Sequence, residues 1–399
     1  MVGLCIKQYH LGYMLDRGFN QSGGAFGFRD QLQDSIGTKF LNPEIMRKQI
    51  LKHAKHQFIE GDVEHWWHDE TMRGIRTRFS DDRLWLVYLT IQYIEFTGDY
   101  SIWDIEIPYI EGKQLEEGKD EDYNIHVPSK IKETLYLHCI RAINISLKFG
   151  ENGLPLIGSG DWNDGFSTVG NKGKGESVWL GFFLYEILNN FIKVMKTKQE
   201  KEDVINNYLE ILNKLKKSLN KQGWDGRWYR RAYTDQGEVL GSSENEECKI
   251  DSIAQSWACL SNAGDNDKKY IAMEALEKHL INKDVGIIKL LDPPFENGKL
   301  EPGYIKSYLP GVRENGGQYT HAAIWAIIAF AKLKLEDKAY QYFNMINPIQ
   351  HSNSKEKADK YKIEPYVIPA DIYGSQNLVR ERWMDMVYRL KQLVLSCRD

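Results

Sequence analysis

Two aspartates, Asp161 and Asp164, bracket Trp162 and Asn163 in the stretch Gly153–Gly165, which reads GLPLIGSGDWNDG. The glycines on both sides rule out an ordinary helix there. A carboxyl desolvated beside an indole keeps its proton toward neutral pH while a solvated neighbour ionises, and general acid catalysis needs that split. The same spacing also suits a loop of Asx turns closed by a glycine bend. The residues alone leave both readings open.

Three further segments carry comparable chemistry. In GFRDQLQD, Gly27–Asp34, the side chains of Arg29, Asp30 and Asp34 fall within little more than one turn. They suit the gripping of several sugar hydroxyls, and equally a capping network with a surface ion pair. In Glu60–His68, EGDVEHWWH, His65 and His68 invite a metal. Their spacing is not the i, i+4 pair of a helical zinc site and no third ligand is evident, so no metal is expected. Arg73, Arg76 and Arg78 follow, either facing an anion or pairing with Asp81 and Asp82. In Gly311–His321, GVRENGGQYTH, a glycine turn carrying Glu314 and Gln318 leads into an apolar run. Backbone N–H groups at a helix start beside His321 would seat a phosphate, and His321 could instead be structural.

These segments need elements to hold them. Helical periodicity recurs over Asn42–Phe58, Asp81–Thr97, Lys132–Phe149, Ser177–Met195, Glu200–Leu219, Ile250–Ala263, Lys268–Leu280 and Tyr319–Leu333. The last is apolar nearly all round, as in a buried inner helix, whereas Lys132–Phe149 keeps a polar face. Strand signals are sparse, and Ser242–Glu247 and Asn282–Val285 read as turns. Gln21–Asp34, Glu60–Arg78, Gly153–Gly175 and Ser307–Gln318 read as long loops, the kind that carry function. The pattern predicts an all-α fold, an α/α barrel with functional loops at one end. No linker or low-complexity run interrupts residues 1–399, so one domain is expected.

Composition narrows the partners. With 52 Lys and Arg against 56 Asp and Glu, the net charge is −4, and neither nucleic acid nor an anionic membrane is an expected partner. The 11 Trp and 22 Tyr serve large cores or stack on sugar rings. The five cysteines (Cys5, Cys139, Cys248, Cys259, Cys397) show no metal or redox spacing. They read as free thiols of a reducing cytosol. No signal peptide is visible in Met1–Gln21, and no stretch reads as the roughly 20 apolar residues of a membrane span. A cytoplasmic location is the expectation.

Taken in order, the strings QSGGAFGFRDQLQD, EGDVEHWWH, GIRTRFSDDRLWL, GLPLIGSGDWNDG, GESVWLGFFLYE, DSIAQSWA, ENGGQYTHAAIW and EPYVIPADIY resemble the catalytic barrel of glycoside hydrolase family 94. Within it they are most similar to 1,2-β-oligoglucan phosphorylases and to the phosphorylase-like C-terminal domain of cyclic β-1,2-glucan synthases. The resemblance implies an (α/α)6 barrel and inverting phosphorolysis of a β-glucan, β-1,2-linked, to α-glucose 1-phosphate. Asp164 would be the general acid. Trp162, Arg29, Asp30, Asp34, Asp161, Arg76, Arg78, Glu314 and Gln318 would line the sugar site, and His321 would contact phosphate. Phosphate is the co-substrate, and no metal or organic cofactor is implied. A homodimer is common in such relatives. An inverting hydrolase on the same barrel would need a second carboxylate to activate water, with Glu314 as candidate. A non-catalytic remnant, or a domain of a larger synthase, is a further reading.

Both ends depart from that pattern. After Asn377 the family string resembles GRGGWTWYTGSSSWFYRVG, whose Thr completes the phosphate site, but the chain runs from Arg380 to Asp399 with another sequence. Read one base later, permitted codons of this tail spell the expected string. Residues 1–17, shifted by two bases, spell GWLMYQTISSRVYARSG. The ends 1–17 and 380–399 are thus expected to be out-of-frame translations, a chain with this tail lacking half the phosphate site. No counterpart of the β-sandwich that precedes the family's barrel is expected within residues 1–399.

Overall fold

The computed structural model describes residues 25–361 and 368–373, so both suspected out-of-frame ends lie outside the described residues. The described residues are largely helical. In chain order they are α1 (Phe28–Ser35), α2 (Pro43–Ala54), α3 (Asp82–Thr97), α4 (Leu135–Ser146), α5 (Val178–Thr197), α6 (Glu202–Lys221), α7 (Ser252–Leu260), α8 (Asn266–Leu280), α9 (Thr320–Lys332), α10 (Glu336–Ile346) and α11 (Lys355–Tyr361). Their ends follow local chemistry. Asn42 caps α2 by accepting from the Glu44 N–H, with Pro43 in the first turn. Ser177 caps α5 through the Leu180 N–H. Gly98, at φ 72°, closes α3 in the left-handed conformation.

Contacts divide the chain into two compact units. One comprises the described part of Met1–Leu180 together with Leu184–Leu215, the other Gly181–Phe183 with the described part of Lys216–Asp399.

In the first unit α1 packs on α2 and α3, and α3 on α4. Strands are more frequent than the sequence predicts. Glu60–Arg78 is not a loop: β2 (Glu64–His68) and β3 (Arg73–Thr77) pair antiparallel inside a four-stranded sheet. The outer members are β1 (Phe26–Gly27) and the exposed strand Glu121–Ile125. The run HWW alternates poorly, which hides a strand from a periodicity argument, yet Trp67 is buried while Trp66 and His68 are half-buried. Register slips between Glu64 and Trp66, so His65 sits on a β-bulge.

The second unit has its own core of Trp228, Ile250, Met273, Leu276, Ala326, Phe330 and Tyr342. Helix α9 is not buried all round, because Ile324 and Ile328, one turn apart, stay exposed. The segments Ser242–Glu247 and Asn282–Val285 are turns, the latter joining two short paired strands. One helix, Val178–Thr197, does reach membrane-spanning length and apolarity, contrary to the sequence expectation, but most of its apolar window is buried inside the protein. That is the burial of a core helix.

Candidate active site

Helix α1 presents Arg29 to the interior and turns Asp30 and Asp34 outward. At Gly27, just before the helix, a Cβ would lie 2.2 Å from a carboxylate oxygen of Asp30. Arg29 is only 7% exposed. Its Nη1 donates to both oxygens of Asp81, at 3.0 and 3.1 Å, and to the Asp161 carbonyl at 2.9 Å. Its Nη2 donates to Asp164, and its Nε lies 3.9 Å from Asp82. Burial alone would weaken the guanidinium's hold on its proton; Asp164, Asp81, Asp82 and Asp30 reverse this and keep it charged.

The GDWND segment is zipped onto the connection between β3 and α3. The Ser159 N–H donates to the Arg78 carbonyl, and both the N–H and the hydroxyl of Ser80 donate to the Gly160 carbonyl. Gly158, at φ 64°, brings its backbone against the Arg78 carbonyl, where a Cβ would sit 2.0 Å away. Only glycine allows that approach. Inside the loop the two aspartates part company. Asp161 is fully buried, its carboxylate accepting from the Asn163 N–H at 3.0 Å and the Ser177 hydroxyl at 2.6 Å. Through these bonds it holds the loop. Asp164 is the one that reaches solvent, its side chain 34% exposed. Trp162 lies between them, nearly buried.

Asp30 and Asp34 touch solvent, yet protein crowds them on most sides. That crowding raises both carboxyls, Asp34 to about 7 with help from the Asp30 charge one turn away. The β2 bulge brings in a residue not expected at the site. The Nδ1 of His65 is 2.8 Å from Asp82, and its ring stacks on Phe79 at 4.4 Å and 6°. Burial lowers the affinity of His65 for a proton, but Asp82 outweighs it and lifts the imidazole to about 9. Asp82 itself is held below its ordinary range, because His65 and Arg29 more than offset its burial.

The sequence signal for this part was SDD at a helix start, read only as a partner for arginines. The arginines do otherwise. Arg76 donates all five of its N–H groups internally, to Asp62, Glu60 and the carbonyls of Gly112 and Lys113, over the ring of Phe58. Its donors are thus engaged within the protein. Arg78 sends its guanidinium to the Glu116 carbonyl, and its backbone carbonyl serves the loop.

In the second unit, Arg313 stands at φ 52° and pairs with Glu314 at 3.3 Å. Gln318 is fully buried, its amide accepting from the Ile288 N–H at 2.9 Å and donating to Thr320, so it braces the start of α9. His321 lies in the first turn of α9 with its ring 4.1 Å from that of Trp325. Asp371, opposite Tyr319 in a short strand pair, is desolvated and raised to about 6 despite Arg313. Among the described residues no group of His, Cys, Asp and Glu could hold a metal ion.

The first unit thus offers one solvent-reaching carboxyl beside a buried arginine, flanked by outward acids, a set suited to hydroxyl recognition and proton donation. Comparison with known proteins agrees in kind. The chain is 47% identical over 358 residues to the cyclic beta-(1,2)-glucan synthase NdvB of Rhizobium meliloti (strain 1021), covering 89% of this chain and 13% of that protein. It is 29% identical over 352 residues to the solabiose phosphorylase of Paenibacillus borealis, covering 88% and 42%. With the N,N'-diacetylchitobiose phosphorylase of Vibrio proteolyticus it shares 27% over 385 residues, covering 88% and 45%. The chain therefore spans under half the length of these relatives. Among solved structures, the GH63 mannosylglycerate hydrolase from Thermus thermophilus is similar in fold alone, at 10% identity and a TM-score of 0.53 over 82% of this chain and 84% of that one. Residues 8–383 match the catalytic domain of the glycosyl hydrolase 94 superfamily, and the chain belongs to that family as a phosphorylase-type domain.

Proposed function

We propose that this domain catalyses inverting phosphorolysis of a β-1,2-linked glucan, giving α-glucose 1-phosphate and a shortened chain, on an (α/α)6 barrel. Asp164 acts as general acid, protonating the departing glycosidic oxygen. Arg29, Asp30 and Asp34 hold the hydroxyls of the transferred glucose, and Trp162 shapes its pocket. Phosphate is already anionic, so no carboxylate base has to activate water as in an inverting hydrolase. His321 and the N–H groups at the start of α9 receive it. No metal or organic cofactor enters the reaction, and the reducing cytosol suits the buried free thiols Cys139, Cys248 and Cys259.

The observation that carries the reading is the contrast inside one loop: Asp161 is spent on internal hydrogen bonds, whereas Asp164 reaches solvent beside Arg29. The test is incubation of the purified chain with β-1,2-glucan oligosaccharides, with and without inorganic phosphate, following products by NMR. Phosphate-dependent α-glucose 1-phosphate is expected. Glucose released at the same rate without phosphate would replace the reading with an inverting hydrolase. The 47% identity to a synthase of which the chain spans 13% favours a second reading, in which this domain works inside a larger glucan-building protein. The isolated chain would then bind β-1,2-glucan and release nothing.

A further inference from the structure

The half-buried imidazole of His65 has no part in the function proposed above, although it stands one carboxylate away from it. We infer that His65 is a positioning residue for the Arg29–Asp164 pair, a strut that acts through Asp82. The inference rests on the placement of the active site around Asp164.

Three independent features converge on it. First, the β-bulge between Glu64 and Trp66 singles out His65, and a bulge re-aims the side chain it carries. The bulge is anchored from behind, since the two carboxylate oxygens of Glu64 each take an imidazole, His56 and His126, both at 2.6 Å. Second, the His65 ring is fixed on two sides, by Phe79 in a parallel stack and by Asp82 at 2.8 Å. Phe79 in turn lies against Gly160, so the same ring touches the loop that bears Asp164. Third, one oxygen of Asp82 takes the His65 bond while the other, buried and without a hydrogen-bond partner, faces Arg29 Nε at 3.9 Å.

Charge explains why the strut must be cationic. Asp30, Asp81, Asp82 and Asp164 all act on Arg29. Arg83 also acts on Asp81 and Asp82, but its hydrogen bonds go to the Phe79 carbonyl and the Ser146 hydroxyl. The groups that act on His65 are Asp82, Asp164 and Arg29, together with Asp30. Without its charge, Asp82 would compete with Asp81 and Asp164 for one guanidinium, and Arg29 would be drawn toward its Nε side. With it, Asp82 is satisfied from behind and Arg29 keeps its fork on Asp81 and Asp164. Glutamine at position 65 would keep a donor and lose the charge; phenylalanine would keep the stack and lose both.

The first arm of the test needs no catalysis. The full chain is labelled with 15N-histidine, and the His65 signal is identified by its loss in His65→Gln, or in His65→Phe should the glutamine variant not fold. Its titration midpoint is expected near pH 9 in the wild type. In Asp82→Asn it should fall by about 1 to 3 units. A wild-type midpoint in the ordinary imidazole range, or one unmoved by Asp82→Asn, overturns the strut. The second arm is kinetic. In His65→Gln, kcat/KM for phosphorolysis should drop by about 100-fold, chiefly in kcat, as expected of a misplaced catalytic group. The alkaline limb of the wild-type pH profile, set by His65 losing its proton, should vanish with it. A merely structural histidine would lower stability and leave the shape of that profile intact, and such a result also overturns the proposal. If the wild type releases no product at all, the functional reading fails, and the titration alone judges His65.

Discussion

Arg29 holds Asp81 and Asp164 with the two terminal nitrogens of a single guanidinium, Nη1 on the first and Nη2 on the second. The first partner is fully buried and the second reaches solvent. One end of the pair is therefore anchored at the start of α3 while the other can meet a ligand. A carboxyl so held has a fixed place and direction, which proton donation in a transition state requires.

Replacing that carboxyl by its amide should separate chemistry from binding. Asp164→Asn keeps the shape and the contact with Arg29 through its carbonyl oxygen, and it has no proton to give. Turnover is expected to fall by about 100- to 10,000-fold, the usual size of a general-acid contribution. Binding of β-1,2-glucan, followed by calorimetry, should stay within a few-fold. Near wild-type turnover in Asp164→Asn would remove the residue from the acid's role.

The outward acids on α1 make a prediction about pH. Crowding, with the Asp30 charge four residues before it, lifts Asp34 to about 7. A folded-state value above that of the unfolded chain means that the native state binds the extra proton. Its stabilising effect is therefore present at low pH and lost as pH rises through about 7. Asp34→Asn removes the ionisation and so should melt higher than the wild type at pH 8, with the gap narrowing toward pH 5. Thermal unfolding of both proteins across this range decides it. A gap that does not change with pH would mean that Asp34 is ordinary.

Much of the framework was legible in the sequence because helices announce themselves by period. Tyr319–Leu333 and Asp81–Thr97 were placed within a residue or two of α9 and α3. Helix α1 lies in a stretch that reads as loop, since eight residues starting after glycine leave too little period to see. The sheet at Glu64–Thr77 was hidden for a related reason, its inner strand being apolar at neighbouring positions rather than alternate ones. Residue type marks out Asp164 and Arg29 for the proposed site, but type cannot tell a free polar group from a spent one. Asp161 and Arg76 look as fit for sugar as their neighbours until the hydrogen bonds are followed to their ends. His65 was visible only as a weak metal ligand, because its partner Asp82 lies 17 positions away.

Arg76 should accordingly behave as a structural residue. Arg76→Met leaves Asp62 and Glu60 facing each other with no cation, and breaking a buried pair from one side costs about 3–5 kcal/mol. Chemical denaturation should report a loss of that order. KM for the glucan, measured on the folded fraction at low temperature, should hardly move. A raised KM at unchanged stability would return Arg76 to the sugar site.

Gly160 lies against the ring of Phe79 with no room for a side chain between them. A Cβ at Gly160 would lie 2.4 Å from Phe79 Cε1, and φ there is 149°, outside the range that side chains favour. Phe79 cannot yield freely, since its ring also carries the His65 stack. Gly160→Ala should therefore push the ring and the Asp164 loop apart. Overpacking of this kind costs about 1–3 kcal/mol, and turnover should drop by about 100-fold, as expected when a catalytic group shifts by an ångström. Gly173 serves as the control: its φ of 86° is equally unfriendly to alanine, but a Cβ there meets open space. Gly173→Ala should lose only the backbone strain, about 1–2 kcal/mol, and keep full turnover. If the two variants lose activity alike, strain in the loop, and not the Phe79 contact, sets the position of Asp164.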